Sequence, residues 1–295
     1  MRGSRITGPV VCAALSFFIS QPARPDIGNV LSNKMGATAK YPQEALEWFN
    51  KNQPTLPAKY WNEPGFFAID PIVDYLDAVN WSLIPLRQFK EIHKARWARV
   101  PQNTKIKRDA SGGWRWPVGS EVLKLITAAA KTGSTTSQQD LELRIERKLS
   151  DNESGGVWAM ATYTRLNSEE WRVALPNRLG LDVPNAVTPL GVRTVTHLLT
   201  PPEGCMTCHS LAGKSSMDYK RGGNFVYASL DDLLTGRVRI RLSQYEGYPG
   251  QHHLVKELSR SKADDWIDLE LIDKSNIIKN RSNLAPIIDG PLPPM

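Results

Sequence analysis

Cys205-Met206-Thr207-Cys208-His209 is the stretch of this chain whose residue types and spacing are equipped for chemistry. Two thiols separated by two residues reach the two vinyl groups on one edge of a porphyrin and form thioethers. A His directly after the second thiol is then held under the iron as its proximal ligand. The pattern is that of c-type haem attachment. It predicts one covalently bound haem c, with Cys205 and Cys208 as anchors and His209 as the metal ligand. Two other chemistries use a C-x-x-C pair. A zinc site needs four ligands, and neither a second Cys pair nor a nearby His pair completes one here. A redox dithiol belongs to a βαβ context, whereas this motif is flanked by Pro201-Pro202 and Gly204.

The ligand across the iron from His209 is open in the sequence. An unligated or weakly ligated face ranks first, then His252 or His253, then Met217, eight residues past His209. Met160 falls in a strand pattern and reads as core, and His93 reads as part of an exposed basic helical segment. His197, shortly before the motif, reads first as a satisfied structural His, the alternative being that it packs near the haem or bonds a propionate.

The cysteine count agrees with this assignment. The chain holds Cys12, Cys205 and Cys208. Residues 1–23 read as an export signal: Arg2 and Arg5 supply positive charge, Val10 to Ile19 is a short apolar run, and Pro22-Ala23 ends the segment. Cys12 leaves with it, and both remaining thiols belong to the motif. Haem attachment to C-x-x-C-H takes place outside the cytoplasm, so motif and signal imply the same periplasmic location. A lipidated Cys12 is disfavoured by Pro9-Val10-Val11 in front of it. No later run is long and apolar enough to span a bilayer as a helix.

With 41% hydrophobic and 23% charged residues, the composition is that of an ordinary folded chain rather than a disordered one. The formal charge is +7, from 37 Lys and Arg against 30 Asp and Glu; loss of Arg2 and Arg5 lowers it by two. The basic residues are scattered, with mild clusters at Lys105-Lys107-Arg108 and Arg237-Arg239-Arg241. They read as solvated faces or as docking for an acidic redox partner, with nothing that points to nucleic acid.

The elements that must position the motif are strands. Val122 to Ile126 is a short apolar run with Lys124 inside it. Leu141, Leu143 and Ile145 alternate with Glu142, Arg144 and Glu146, a period of two. Val157–Tyr163 and Val192–Leu199 complete four strand candidates, with turns at residues 133–137 and 152–156. The fold class predicted is α+β, an antiparallel sheet carrying one haem. Residues 24–110 precede it as a partly helical segment, with helices over Tyr41–Asn50 and within Asp70–Lys94. The sheet domain spans 111–210. Residues 211–295 form a mainly irregular extension packed on it, with short helices over Ser229–Thr235 and His252–Arg260 and an extended tail from Ile277.

Several of these pieces resemble a known group. Gly113-Trp114-Arg115-Trp116-Pro117-Val118-Gly119-Ser120 followed by Lys124 resembles the W-R-F-P-V-G-T-x-x-x-K stretch of exported bacterial proteins with a C-terminal c-haem motif. Glu142-Leu143-Arg144 resembles their E-T-R strand, Gly156-Val157-Trp158 and Tyr163 their aromatic strand, and His197, Pro202 and Cys205 to His209 their H-x-x-P ending. The arrangement is more distantly similar to the hydroxylamine-oxidising monohaem cytochromes, whose haem is cross-linked to a strand lysine, and to cytochrome c-prime-beta, a sheet protein that binds nitric oxide at a five-coordinate haem. The resemblance implies that Lys124 stands at the cross-linking position. Read from the strand pattern alone, Lys124 projects opposite Leu123 and Leu125, with its head in solvent or near a propionate.

Three function classes follow: a periplasmic electron-transfer cytochrome, a five-coordinate haem protein that binds or oxidises a small nitrogen species, and a haem-bearing accessory subunit. No acid–base constellation beside the motif points to an enzyme by itself. The partner expected is a redox protein or a small diatomic or nitrogen ligand.

Overall fold

The structure is a computed structural model that describes residues 43–69, 89–90, 92–108, 114–151, 157–174, 180–199, 230–240, 242–246 and 249–295. Helix α1 (Gln43–Asn52) is followed by strands β1 (Thr55–Pro57), β2 (Phe67–Ala68), β3 (Ile92–Arg99), β4 (Lys107–Arg108) and β5 (Trp114–Arg115). The long strands β6 (Glu121–Thr132), β7 (Thr135–Ser150) and β8 (Val157–Arg165) come next, then β9 (Glu170–Val173), β10 (Gly180–Thr188) and β11 (Gly191–Leu198). The C-terminal part holds α2 (Leu230–Thr235), β12 (Arg237–Ile240), α3 (Leu242–Glu246), β13 (Val255–Ser261), β14 (Trp266–Leu271) and α4 (Ser275–Leu284).

The fold is built on β6 and β7, a hairpin closed by Gly133 and Ser134, with Gly133 at a φ of 61° that a side chain would resist. The main sheet runs β1-β9-β8-β7-β6-β10-β11, with β3 also on β6 and β2 on β3, and its pairs are antiparallel. A mostly antiparallel β architecture was legible in the alternating pattern. β3 was not: residues 92–94 read as the end of a helical region, yet Ile92 to Arg99 pairs with β6 from Ala128 to Glu121. Eight residues of ladder outweigh a weak local preference. This strand and β1 and β2, all from the segment before residue 111, are members of the same sheet.

The two faces of the sheet differ in kind. On one face, Leu123, Leu125, Leu143, Ile145, Ala159, Ala161 and Tyr163 pack with Phe49 of α1 and with Leu56, Tyr60 and Trp171. Each large apolar side chain buried there contributes about 1.5–3 kcal/mol. The opposite face carries an apolar cluster at each end. One joins Ala98, Trp158 and Met160 to Trp114, Trp116 and the C-terminal part through Leu234, Ile267, Leu269, Ile277 and Leu284. The other joins Ile126, Ala128 and Leu141 to Val183, Ala186, Val195 and Phe89. Leu141 enters it through a bulge, since Ile126 pairs with Glu142 and Thr127 with Asp140.

The C-terminal part is more regular than expected. β12, β14 and β13 form a second antiparallel sheet in that order. Residues 255–261 are a strand rather than a helix, because pairing with β14 buries Val255. The segment from Ile277 begins in helix rather than tail. Ile277 and Leu284, seven residues apart, bury one face of α4, and every Pro of the segment falls after the helix ends. The chain end is then stitched to the segment between β3 and β4: Ile106 N–H donates to Ile287 O at 2.7 Å, and Asp289 N–H to Ile106 O at 2.8 Å. No described helix is long and apolar enough to cross a membrane.

Candidate functional site

Cys205, Cys208, His209, Met217 and residues 1–23 lie outside the described residues. The described site is the strip of sheet from which the chain departs toward the motif. Between the two apolar clusters, the strand register sets Arg96 of β3 opposite Lys124 of β6, Lys124 opposite Arg144 of β7, and Arg144 opposite Thr162 of β8. Glu142 and Glu146 lie two residues to either side of Arg144 and so share its face. All six side chains are buried; Arg96, Lys124 and Arg144 are only 7%, 6% and 6% exposed. His197, on the edge strand β11, is fully buried and meets this strip: its Nε2 is 3.5 Å from Glu142 Oε2 and its ring stands edge-on to Phe89.

The alternation in β7 therefore separates two buried faces, not a core from solvent. Lys124 does project opposite Leu123 and Leu125, as the strand pattern required, but its head is inside the protein rather than in water.

The electrostatics of the strip are uneven. Arg144 Nε donates to Glu142 Oε1 at 2.7 Å and its Nη2 bonds the same oxygen. Burial alone would raise the Glu142 pKa. Arg144 and His197 outweigh burial and hold it at about 2, so Glu142 stays ionised. Glu146 goes the other way: burial pushes it up to about 8, against the opposing pull of Lys124 and Arg144. At neutral pH Glu142 is ionised and Glu146 mainly protonated, beside the side chains of Arg96, Lys124 and Arg144. His197 adds a buried nitrogen, Nδ1, with no hydrogen-bond partner among the described residues.

The remaining candidates sit elsewhere. His252 stacks on Tyr245 with centroids 3.8 Å apart, and its Nε2 is 2.9 Å from the Tyr245 carbonyl oxygen. A carbonyl only accepts, so Nε2 is the donor. His253 is exposed. His93 is exposed as expected, but on β3 rather than on a helix. Met160 is core, packed with Trp158 and Ala98. Among the described residues, no group of three or more His, Cys, Asp or Glu is placed to hold a metal ion.

A second buried charge cluster lies on the other face and is structural. Glu121 accepts from Tyr60 Oη at 3.1 Å and pairs with Arg99 and Arg147, both partly exposed. Lys148 is likewise committed, donating to Trp116 O at 2.6 Å and bonding Asp151. Arg96, Glu142, Arg144 and Glu146 were missed as site residues. Their signal was present: charged residues at every second position of a strand whose flanks are rich in Trp. Alternation looks the same whether the polar face meets water or a buried group. Comparisons with protein-family models, with curated proteins and with solved structures find no match for this chain.

Proposed function

We propose that this chain is an exported, periplasmic monohaem c-type cytochrome that acts in electron transfer, with haem c bound through Cys205 and Cys208 and His209 on the iron. The observation that carries the reading is the C-x-x-C-H run itself, joined by a short tether to a buried, cation-rich strip. Cys205 is eight residues beyond His197, a span of at most about 29 Å when extended. The strip suits such a group: its cations complement two carboxylates, and its apolar neighbours suit a macrocycle. When bound, the haem supplies one-electron chemistry at iron. The chain's own residues do the rest. The two thiols fix the ring, the His209 imidazole gives a nitrogen lone pair, and the buried strip keeps water and its dielectric screening away from the group.

The test is extraction. Purified protein made with haem-attachment machinery should keep its colour through acid–acetone treatment, with one haem per chain, and Cys205→Ala with Cys208→Ala should abolish it. Haem that extracts freely from the unaltered chain would end the reading.

A second reading, an open distal site for nitric oxide or hydroxylamine, is favoured by the burial of Lys124 on the strip, at the position where the resemblance puts a cross-linking lysine. Rapid binding of carbon monoxide to the ferrous protein selects this reading; an unchanged spectrum selects the electron carrier.

A further inference from the structure

We propose that the surface around Arg99 and Arg147, where β3 and β7 finish and β6 begins, is a docking face for the acidic surface of a partner protein. None of its residues is assigned to the haem, so it stands apart from the cytochrome reading. Glu121, fully buried at the start of β6, takes one guanidinium on each carboxylate oxygen, Arg147 on Oε1 and Arg99 on Oε2. Tyr60 fixes the inner side further: Arg99 Nη2 donates to its Oη at 2.8 Å, and the Oη donates to Glu121 at 3.1 Å. Aromatic rings hold the flat faces, with Arg99 4.3 Å from the centre of the Phe66 ring and Arg147 4.9 Å from that of Trp48. The two arginines are thus pinned from within, while 25% and 30% of their side chains stay exposed. Arg99 uses only Nη2 and Arg147 only Nη1 in these bonds, so the outer N–H groups of both forks face the solvent side.

The surroundings are those of an interface. Trp61 and Trp97 stack with ring centres 5.0 Å apart, and Trp97 stands two residues before Arg99 on the same face of β3. Both are half-buried, as are Trp48 and Phe66. Trp, Tyr and Arg are the side chains that dominate binding energy between proteins. Beside Arg147 the backbone is bare: a Cβ at Gly119 would stand 4.0 Å from Arg147 Nη2 and 3.1 Å from Pro101 Cγ, and the adjoining Val118 is 47% exposed. Past Pro101, the exposed Lys105 and Lys107 extend the positive charge. Charge complementarity selects the partner. A planar fork that already holds one carboxylate on its inner edge presents a second edge of the same geometry, and a fork pinned in place loses little freedom on binding. The lysines add long-range attraction for an acidic partner. The exposed Glu47 and Glu63 flank the aromatic residues in the chain, and their repulsion turns the partner's carboxylates toward the arginine side.

The experiment uses the full chain as purified and a labelled peptide of alternating Glu and Leu as the probe, with its Gln counterpart as control. The readouts are the affinity over a range of salt and the nuclear magnetic resonance shifts of the Trp indole N–H and Arg Nε–H groups. The acidic peptide should bind, weaken as salt rises, and bind about tenfold or more tighter than the Gln peptide. The shifts should concentrate at Trp48, Trp61, Trp97, Arg99 and Arg147. Trp48→Ala, and Arg147→Lys, which keeps the charge beside Glu121 but loses the fork, should each weaken binding by about tenfold. Lys256→Gln, on the exposed face of β13, should leave it unchanged. A folded Trp48→Ala or Arg147→Lys protein that binds like the unaltered chain overturns the docking face. So do equal binding of the two peptides, no binding at low salt, or shifts spread over lysines elsewhere. Inorganic phosphate that displaces the peptide completely at constant ionic strength would make this a simple anion site and end the proposal as well. If a variant does not fold, the shift map of the unaltered chain decides. Haem content does not enter these readouts, so the cytochrome reading and the docking face fail separately.

Discussion

At the scale of single residues, the strip trades stability for charge in a pH-dependent way. Glu146 is the clearest case, raised by burial to about 8 from an ordinary 4.5. A carboxyl with a raised pKa holds its proton in the folded chain after the unfolded chain has released it. Folding is therefore favoured fully below about pH 4.5, and this contribution is lost as pH climbs through the window to about 8. The Glu142 contribution has the opposite sign. It is present above 4.5 and disappears only as pH falls toward about 2, well outside that window. Glu146→Gln keeps the shape and hydrogen-bonding capacity of the neutral acid without its titration. Its urea midpoint should match the unaltered protein at pH 5 and exceed it at pH 8, by on the order of a few kcal/mol in unfolding free energy. Equal midpoints of the two proteins at pH 8 would refute the raised pKa.

At the scale of elements, the hairpin and the register decide what meets what, and the clearest single test lies at a helix end. Gly236 follows α2 with a φ of 72°, the left-handed cap that glycine supplies at little cost. A Cβ built there would stand 2.1 Å from Ile277 Cδ1, so α2 and α4 approach through the missing side chain. Gly236→Ala therefore combines backbone strain with a clash against a buried core residue. It should destabilise the chain by about 2–4 kcal/mol, read as a lowered thermal midpoint. A midpoint within a degree of the unaltered protein would show that Ile277 yields freely. The elements also mark how far the sequence could be read. β6, β7, β8 and β11 were legible because an apolar run or an alternation of period two names a strand without outside help. β3 and β13 were not, since their stability comes from partners far along the chain, β6 and β14. The cofactor motif was legible as chemistry, residue by residue. The strip was not, because Arg96, Lys124 and Arg144 are 20 or more residues apart on separate strands and only the register β3-β6-β7 aligns them. The bulge at Leu141, which returns an apolar residue to the face that bears Glu142, likewise has no local signature.

At the scale of the whole molecule, the question is whether the C-terminal part is an appendage or a wall of the same core. The described contacts favour the wall. Ile267, Leu269, Ile277 and Leu284 share one cluster with Trp114, Trp116, Trp158 and Met160 of the main sheet region. The backbone adds stitches at both ends: Ile106 exchanges hydrogen bonds with residues 287 and 289, and Asn283 Nδ2 donates to Ala68 O at 3.0 Å. A shared core makes separate melting expensive, because opening either half exposes the apolar surface of both. The protein should unfold in one transition, with the near-ultraviolet signal of the Trp residues and the far-ultraviolet signal of the strands coincident along a denaturant series. Ile277→Ala, a cavity in the C-terminal half of that core, should move both signals together to lower denaturant, by about 2–5 kcal/mol. If the variant shifted only one signal, or split the transition in two, the C-terminal part would be a separate unit. The strip would then owe its burial to the main sheet alone. If both signals move together, the wall that closes one end of the strip's face is part of the same folding event that aligns Arg96, Lys124 and Arg144. The alignment of these cations is then fixed by the cooperative core and does not wait for a ligand to create it.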